Sequence, residues 1–375
     1  MTILVTGGAG YIGSHTSRLL TSLGRNVVVF DSLERGNADS VLGTPLVIGD
    51  IADTALVTKI CLKHKVTTVV HFAAYKSAGE SMSQPEMYWR NNVQGTVNLV
   101  EGMLAANVQH IVFSSSAAVY GNPQSSPIKE SSVISPVNVY AETKAMMERV
   151  IRWYGETHGL RWTSLRYFNA AGASSDGVLG ENWDVTTNLI PLVMKAALNI
   201  SGPLQVLGND YPTKDGTGIR DYVHVEDLAD AHAKAIDYLQ SGGANLTVNL
   251  GTGAGTSVLE ILSATEKVLG HTVPHEFAPR RLGDPAAVYA DATLAKIALG
   301  LPHKFTDEKH VRGCAVTDDI ILSCGCTADH SSGGVLDLHL MEQNSSVFGQ
   351  LDLACTANEP KIRRRFNYCS GKFQS

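Results

Sequence analysis

Tyr140 and Lys144 stand four residues apart in a stretch whose apolar spacing (Met147, Val150, Ile151) suits a helix. At positions i and i+4 they share one helical face, so an ammonium can sit beside a phenol oxygen and also reach a cofactor ribose. A free phenol titrates near ~10, too high for a base at neutral pH. A neighbouring positive charge stabilises the phenolate and lowers that value. Ser116 precedes the tyrosine by twenty-four residues and ends the apolar run Ile111-Val-Phe-Ser-Ser-Ser116, where a hydroxyl can bond and orient the reacting group. Tyr-x-x-x-Lys arises by chance in many helices, so its weight comes from what precedes it.

What precedes it is a strand that breaks into a glycine-rich turn. Ile3, Leu4 and Val5 suit a buried parallel strand, and Gly7, Gly10 and Gly13 let the backbone turn tightly and approach a pyrophosphate. The unpaired N–H groups of the next helix, Ser14–Leu23, would hold that anion. Asn26–Phe30 then forms a second strand with Asp31 at its tip, eighteen residues past the last glycine. A carboxylate there accepts from adenosine-ribose hydroxyls and repels a 2′-phosphate, which favours NAD over NADP. Nearby Arg35 tempers that preference slightly. The positive ring of oxidised nicotinamide would join Lys144 in lowering the Tyr140 pKa.

The elements that must position these groups continue the alternation. Leu46–Ile48 reads as a strand, Ala55–His64 as a helix and Val66–Phe72 as a buried strand ending in Ala73-Ala74-Tyr75-Lys76, whose small residues let a cofactor lie close. Asp50 and Ile51 fall where the loop would meet the adenine, although Asp50 serves equally as a helix cap. His71, among apolar neighbours, reads as a satisfied core histidine. Pro85 to Val108 reads as one long helix with Asn91-Asn92 in its middle. Either these amides lie on a solvated face, or Asn92 turns inward towards the cofactor. The three serines Ser114–Ser116 end a parallel strand, where hydroxyls face the ligand crevice. The fold class is therefore α/β, a doubly wound, Rossmann-type parallel sheet with a smaller mixed α/β substrate domain.

Composition is that of an ordinary globular protein: 375 residues, 44% hydrophobic, net charge −6. It argues against nucleic-acid and membrane partners, so anionic ligands must be met locally by a few arginines, lysines and helix ends. A first strand at residue 2 leaves no room for a signal peptide, and no apolar run approaches membrane-spanning length, which makes a cytoplasmic enzyme the default.

Thr6-Gly-Gly-Ala-Gly-Tyr-Ile-Gly13, the strand-end serines and Tyr140/Lys144 together resemble an extended short-chain dehydrogenase/reductase. Arg166-Tyr-Phe-Asn-Ala-Ala-Gly172, Asn188-Leu-Ile-Pro191 and the long run Gly208–Val225 resemble the UDP-glucose (UDP-galactose) 4-epimerase family, over residues 1 to about 300. The resemblance implies a tightly held NAD, reduced and reoxidised in each turnover, and a UDP-sugar substrate. It places Tyr11, Ile12, Asp31, Asp50, Ile51, Phe72, Ala73, Lys76, Asn92, Tyr140, Lys144 and Phe168 against NAD. Ser116 and Tyr140 match its catalytic pair. Asn169, Asn188, Leu189, Arg220, Arg281 and Asp284 match positions lining the UDP-sugar site. There, two arginines can answer a diphosphate and an aspartate a ribose hydroxyl, whereas their bland reading is surface salt bridging.

The implied reaction oxidises sugar C4, turns the 4-keto sugar over and reduces its other face. Related 4,6-dehydratases carry Asp-Glu after the strand-end serine or threonine. Here those positions are Ala117-Ala118, which disfavours elimination. The usual Pro-Tyr-Gly is Val139-Tyr140-Ala141, Thr187 replaces a usual asparagine, and Val288, at a position linked to N-acetylated sugars, is intermediate in bulk. Two rivals are an epimerase of another UDP-sugar (pentose, uronic acid or N-acetylhexosamine) and a catalytically silent NAD-binding protein. Gly251-x-Gly253-x-Gly255 reads as a structural turn, with no acid at ribose spacing behind it. Family analogy implies a homodimer through the Pro85 and Tyr140 helices. The division that follows is an NAD-binding domain over 1–166 with return segments near 222–250, a discontinuous substrate-binding domain over 167–302, and a tail over 303–375.

In that tail the resemblance stops. All four tryptophans precede residue 184, so the family's tryptophan-containing terminal helix is missing, and five of the six cysteines fall in the last 62 residues. The segment from Phe305 reads as unrelated or mistranslated sequence. Cys324-x-Cys326 with His330 matches no common closed zinc site, and Arg363-Arg-Arg365 is too short to argue nucleic-acid binding.

Overall fold

The computed structural model describes residues 1–183, 186–281 and 284–301. The tail from residue 303, with its cysteines, its candidate zinc ligands and its arginine triplet, lies outside the described residues.

Among the described residues seven parallel strands form the central sheet: β1 (Thr2–Thr6), β2 (Asn26–Asp31), β3 (Leu46–Ile48), β4 (Val66–His71), β5 (His110–Ser116), β6 (Arg161–Tyr167) and β7 (Leu246–Leu250). Their order is β7-β6-β5-β4-β1-β2-β3. Strand order reverses between β1 and β4, and a crevice for a ligand opens at the carboxyl ends of that pair. Helices α1 (Tyr11–Ser22), α2 (Thr54–His64), α3 (Gly95–Ala105), α4 (Val139–His158), α5 (Leu189–Ala197), α6 (Val225–Gln240) and α7 (Val258–Leu269) complete the main frame.

Strand alternation divides the apolar residues between two faces. Ile3, Val5, Val70, Val112 and Leu165 pack with Leu20 of α1 and Leu228 and Ile236 of α6. Leu4, Phe30, Val69, Ile111 and Phe113 face α2, α3 and α4 through Val57, Leu99, Met103, Met147 and Ile151. A separate core gathers Ile190, Val193 and Met194 of α5, Ile261 and Leu262 of α7, and Leu204, Val206 and Tyr222. Around it lie short paired strands, Leu204–Leu207 with His275–Ala278 and Asn169–Ala171 with Tyr222–His224. This is the doubly wound sheet with a smaller mixed α/β part.

Several local expectations need correction. The run from Pro85 is not one regular helix: Pro85–Tyr88 is α-helical, Trp89–Gln94 is a π turn, and α3 follows. The wider turn coincides with Asn91 and Asn92, and such insertions often mark functional positions. Helix α1 begins at Tyr11, one turn earlier than the apolar spacing placed it, because the glycines themselves lead into it. Asp50 does not cap α2. Asp53 does, accepting from Leu56 N at 2.9 Å, while Asp50 closes a local turn onto Ala52 N at 2.8 Å. The Gly251–Gly255 segment is the structural turn expected, leading to a capping box between Ser257 and Glu260 at the start of α7.

Candidate active site

The glycine turn is built for close approach. Gly7 adopts φ +70°, and a Cβ there would lie 2.6 Å from Ala73 N; a Cβ on Gly13 would collide with the Gly7 carbonyl oxygen. Phe72 N and Ala73 N both donate to Thr6 O, which sets the end of β4 beside that of β1. Gly10 caps α1 without a side chain, leaving the helix N-terminus open to an anion. Tyr11 OH reaches the Gly172 carbonyl at 2.5 Å, while Ile12 is partly buried against the α1–α6 core. Asp31 is buried, its carboxylate held by Ala9 N and Leu33 N at 2.9 Å each. Two further lone pairs remain for hydroxyl donors. Glycines that a methyl group would jam, an open helix end and a spare carboxylate face together fit a dinucleotide.

Further round the crevice, Ile51 and Phe168 are buried in apolar clusters, Phe72 packs against His232 with tilted rings 4.6 Å apart, and Ala73 is half-buried. Asn92 does turn inward. Its Oδ1 accepts from Tyr75 N at 2.8 Å and from Asn91 Nδ2, and its Nδ2 donates to Tyr75 O and to Thr143 Oγ1. All four hydrogen-bond positions of the amide are thus used inside the protein, and what Asn92 holds directly is the Ala73–Lys76 segment. His71 is the core histidine expected, bonded to Thr6 and Thr96, with burial and then the Lys144 charge lowering its pKa to about 3.

The serines separate by strand alternation. Ser114 bonds Tyr167 OH at 3.0 Å, Ser115 bonds Glu148 on the opposite face, and only Ser116 joins Tyr140. The expectation that all three hydroxyls face the crevice is therefore corrected. Asn138 caps α4 by accepting from Ala141 N, and Ser81 Oγ accepts from Tyr140 N at 3.1 Å, so the tyrosine sits on a doubly anchored first turn. Lys144, only 3% exposed, donates to Ser114 O at 2.8 Å and lies 5.0 Å from the Phe113 ring centre. Burial brings its pKa down to about 7 against the opposing pull of Glu148.

The protein's own groups do not lower the Tyr140 pKa. Burial raises it, and the Ser116 hydrogen bond only partly offsets the rise. The physical reason is desolvation: burial disfavours the charged phenolate more than the Ser116 hydrogen bond favours it. The sequence reading also missed Glu148 and Arg166. Arg166 clamps Glu148 at 2.9 and 2.6 Å and reaches Tyr120 OH, which bonds Asn249. The available signal was the spacing of Glu148, one turn beyond Lys144 on the same face.

On the substrate side, Asn169, Asn188 and Leu189 line one small hollow with Tyr222. Arg220 pairs with Asp284 at 2.5 Å, both partly buried. Arg281 is exposed, and its carbonyl accepts from Asp284 N. Val288 pairs in register with Arg220. Among the described residues no cluster of His, Cys, Asp and Glu could hold a metal ion. Cys61 is buried, its thiol pushed up to about 12 by desolvation.

Residues 3–251 match the model of the NAD dependent epimerase/dehydratase family. The UDP-glucose 4-epimerase of Lactobacillus helveticus is 47% identical over 301 residues, 80% of this chain and 91% of that protein. The crystal structure of UDP-glucose 4-epimerase from Brucella ovis in complex with NAD superposes with a TM-score of 0.81 at 45% identity, over 84% of this chain and 96% of that one. The corresponding enzyme from Bifidobacterium longum in complex with NAD+ and UDP gives 0.78 at 38% identity, over 86% and 98%.

Proposed function

Because the chain belongs to the NAD dependent epimerase/dehydratase family, we propose that it interconverts UDP-glucose and UDP-galactose by reversible epimerisation at sugar C4, with NAD as cofactor. The observation that carries this reading is the pairing of Ser116, at the end of β5, with Tyr140, one helical turn before the buried Lys144 on α4, together with a glycine turn that fits a dinucleotide.

NAD, when bound, supplies reversible hydride transfer at sugar C4. Tyr140 takes the C4 hydroxyl proton and later returns it, with Ser116 hydrogen-bonded to the phenol and orienting the hydroxyl. Because burial raises the Tyr140 pKa, the phenolate needs an additional positive charge close by, and the oxidised cofactor is the group that brings one. Arg220 and Arg281 answer the diphosphate, Asp284 a uridine hydroxyl, and Asn169, Asn188 and Leu189 border the sugar end. Ala117 and Ala118 form a tight turn capped by Ser116 and present no acid or base for elimination.

The finer statements of the same reading are a homodimer built through the Pro85–Ala105 helical run and α4, a cytoplasmic location and a role in galactose metabolism. The first is supported by Trp153, 61% exposed on α4; no described helix is long and apolar enough to cross a membrane. Purified protein, without added reductant, is expected to interconvert the two UDP-sugars, and Tyr140→Phe to lower kcat by at least about a hundredfold. Folded, NAD-loaded protein inert towards both sugars would refute the reading.

A further inference from the structure

Glu181 ties the cofactor edge of the crevice to its substrate edge. Its Oε1 accepts from Lys76 Nζ at 3.3 Å, Thr186 Oγ1 at 3.1 Å and Asn188 Nδ2 at 2.7 Å. The glutamate side chain is 6% exposed and the lysine 67%, so an otherwise exposed ammonium reaches inward to a buried carboxylate. Such a carboxylate is tolerated because it is hydrogen-bonded and a cation stands by.

Each partner belongs to a different ligand. Lys76 closes the segment that follows β4 and that Asn92 holds in place. Asn188 opens α5 and lines the hollow with Asn169. It occupies the N-cap position of that helix, yet its side chain makes no capping bond; the amide is committed to Glu181 instead. We infer that Glu181 is a positioning residue that sets Lys76 and Asn188 together, coupling the hold on NAD to the affinity for the UDP-sugar. This rests on the epimerase reading above, and extends it to a residue assigned to neither ligand.

The test uses NAD-loaded full-length protein, calorimetric titration with UDP, NAD retained after gel filtration, and steady-state kinetics with UDP-glucose. Glu181→Gln keeps size and shape but removes the charge. It is expected to raise the UDP Kd and the KM by at least about tenfold and to reduce retained NAD, while kcat stays within about threefold. Lys76→Met, with its folding checked by thermal melting, is expected to raise the UDP Kd at saturating NAD although the lysine is assigned to the cofactor side. Unchanged UDP affinity in Lys76→Met, or a Glu181→Gln variant that loses kcat alone, would overturn the inference. UDP binding is read without turnover, so a wild type that binds UDP but epimerises nothing counts against the reaction and leaves this test intact.

Discussion

Replacing Lys144 with methionine removes a buried amine while keeping a side chain of similar reach. In the folded protein burial takes that amine from its ordinary 10.5 to about 7, whereas the unfolded chain restores the ordinary value. At about 1.36 kcal/mol per pH unit, holding the ammonium in the folded state costs up to ~5 kcal/mol. The sign follows from proton counts. Between about pH 7 and pH 10.5 the unfolded chain binds more protons at this site than the folded one, so wild-type stability rises with pH across that window, and below it the penalty is constant. From pH 7 to pH 9 the wild type should gain ~2 kcal/mol relative to Lys144→Met. Urea unfolding of both proteins, stripped of nucleotide, at the two pH values measures this difference of differences. Parallel pH dependence in the two proteins would refute the claim that the buried amine titrates near neutrality. Because Lys144 is assigned to the catalytic site with Tyr140, the variant should also lose turnover at every pH.

Gly13→Ala drives a methyl group into the Gly7 carbonyl; the expected cost is ~1–3 kcal/mol or more, with NAD no longer co-purifying, and a variant that melts and binds NAD like the wild type would count against the close-packed turn. Asn92→Ala leaves Tyr75 N, Tyr75 O and Thr143 without their amide partner, and each buried group left unsatisfied costs ~1–3 kcal/mol. Chemical denaturation should show that loss, with weaker NAD retention as the Ala73–Lys76 segment loosens; a change below ~0.5 kcal/mol, the scale of neutral surface substitutions, would contradict the assignment.

Much of the frame was legible because it rests on local signals. Leu46–Ile48 and Leu246–Leu250 were read to the residue, since short runs rich in β-branched and leucine side chains between polar turns have few other uses. The glycine triplet marked the turn because no other residue fits the approach of Ala73 to Gly7. The Tyr140–Lys144 face followed from helical period alone. The π turn at Trp89–Gln94 was not legible: a wider turn there is set by what Asn92 meets across the crevice, and those partners lie seventeen and fifty-one residues away.

The sequence by itself determined the order of strands and helices, the glycine turn after β1, the carboxylate at the tip of β2 and the spacing of Tyr140 and Lys144 on one helix. All depend on residue type and near-neighbour spacing, which the chain carries wherever it folds. Tertiary structure decided which serine of three meets Tyr140, how far burial shifts the ionisation of Tyr140 and Lys144, and which carboxylates hold the site in place. Glu148 meets Arg166 from eighteen residues away, and Glu181 meets Lys76 from one hundred and five. Desolvation and long-range pairing are properties of the packed interior; no spacing along the chain encodes their magnitude.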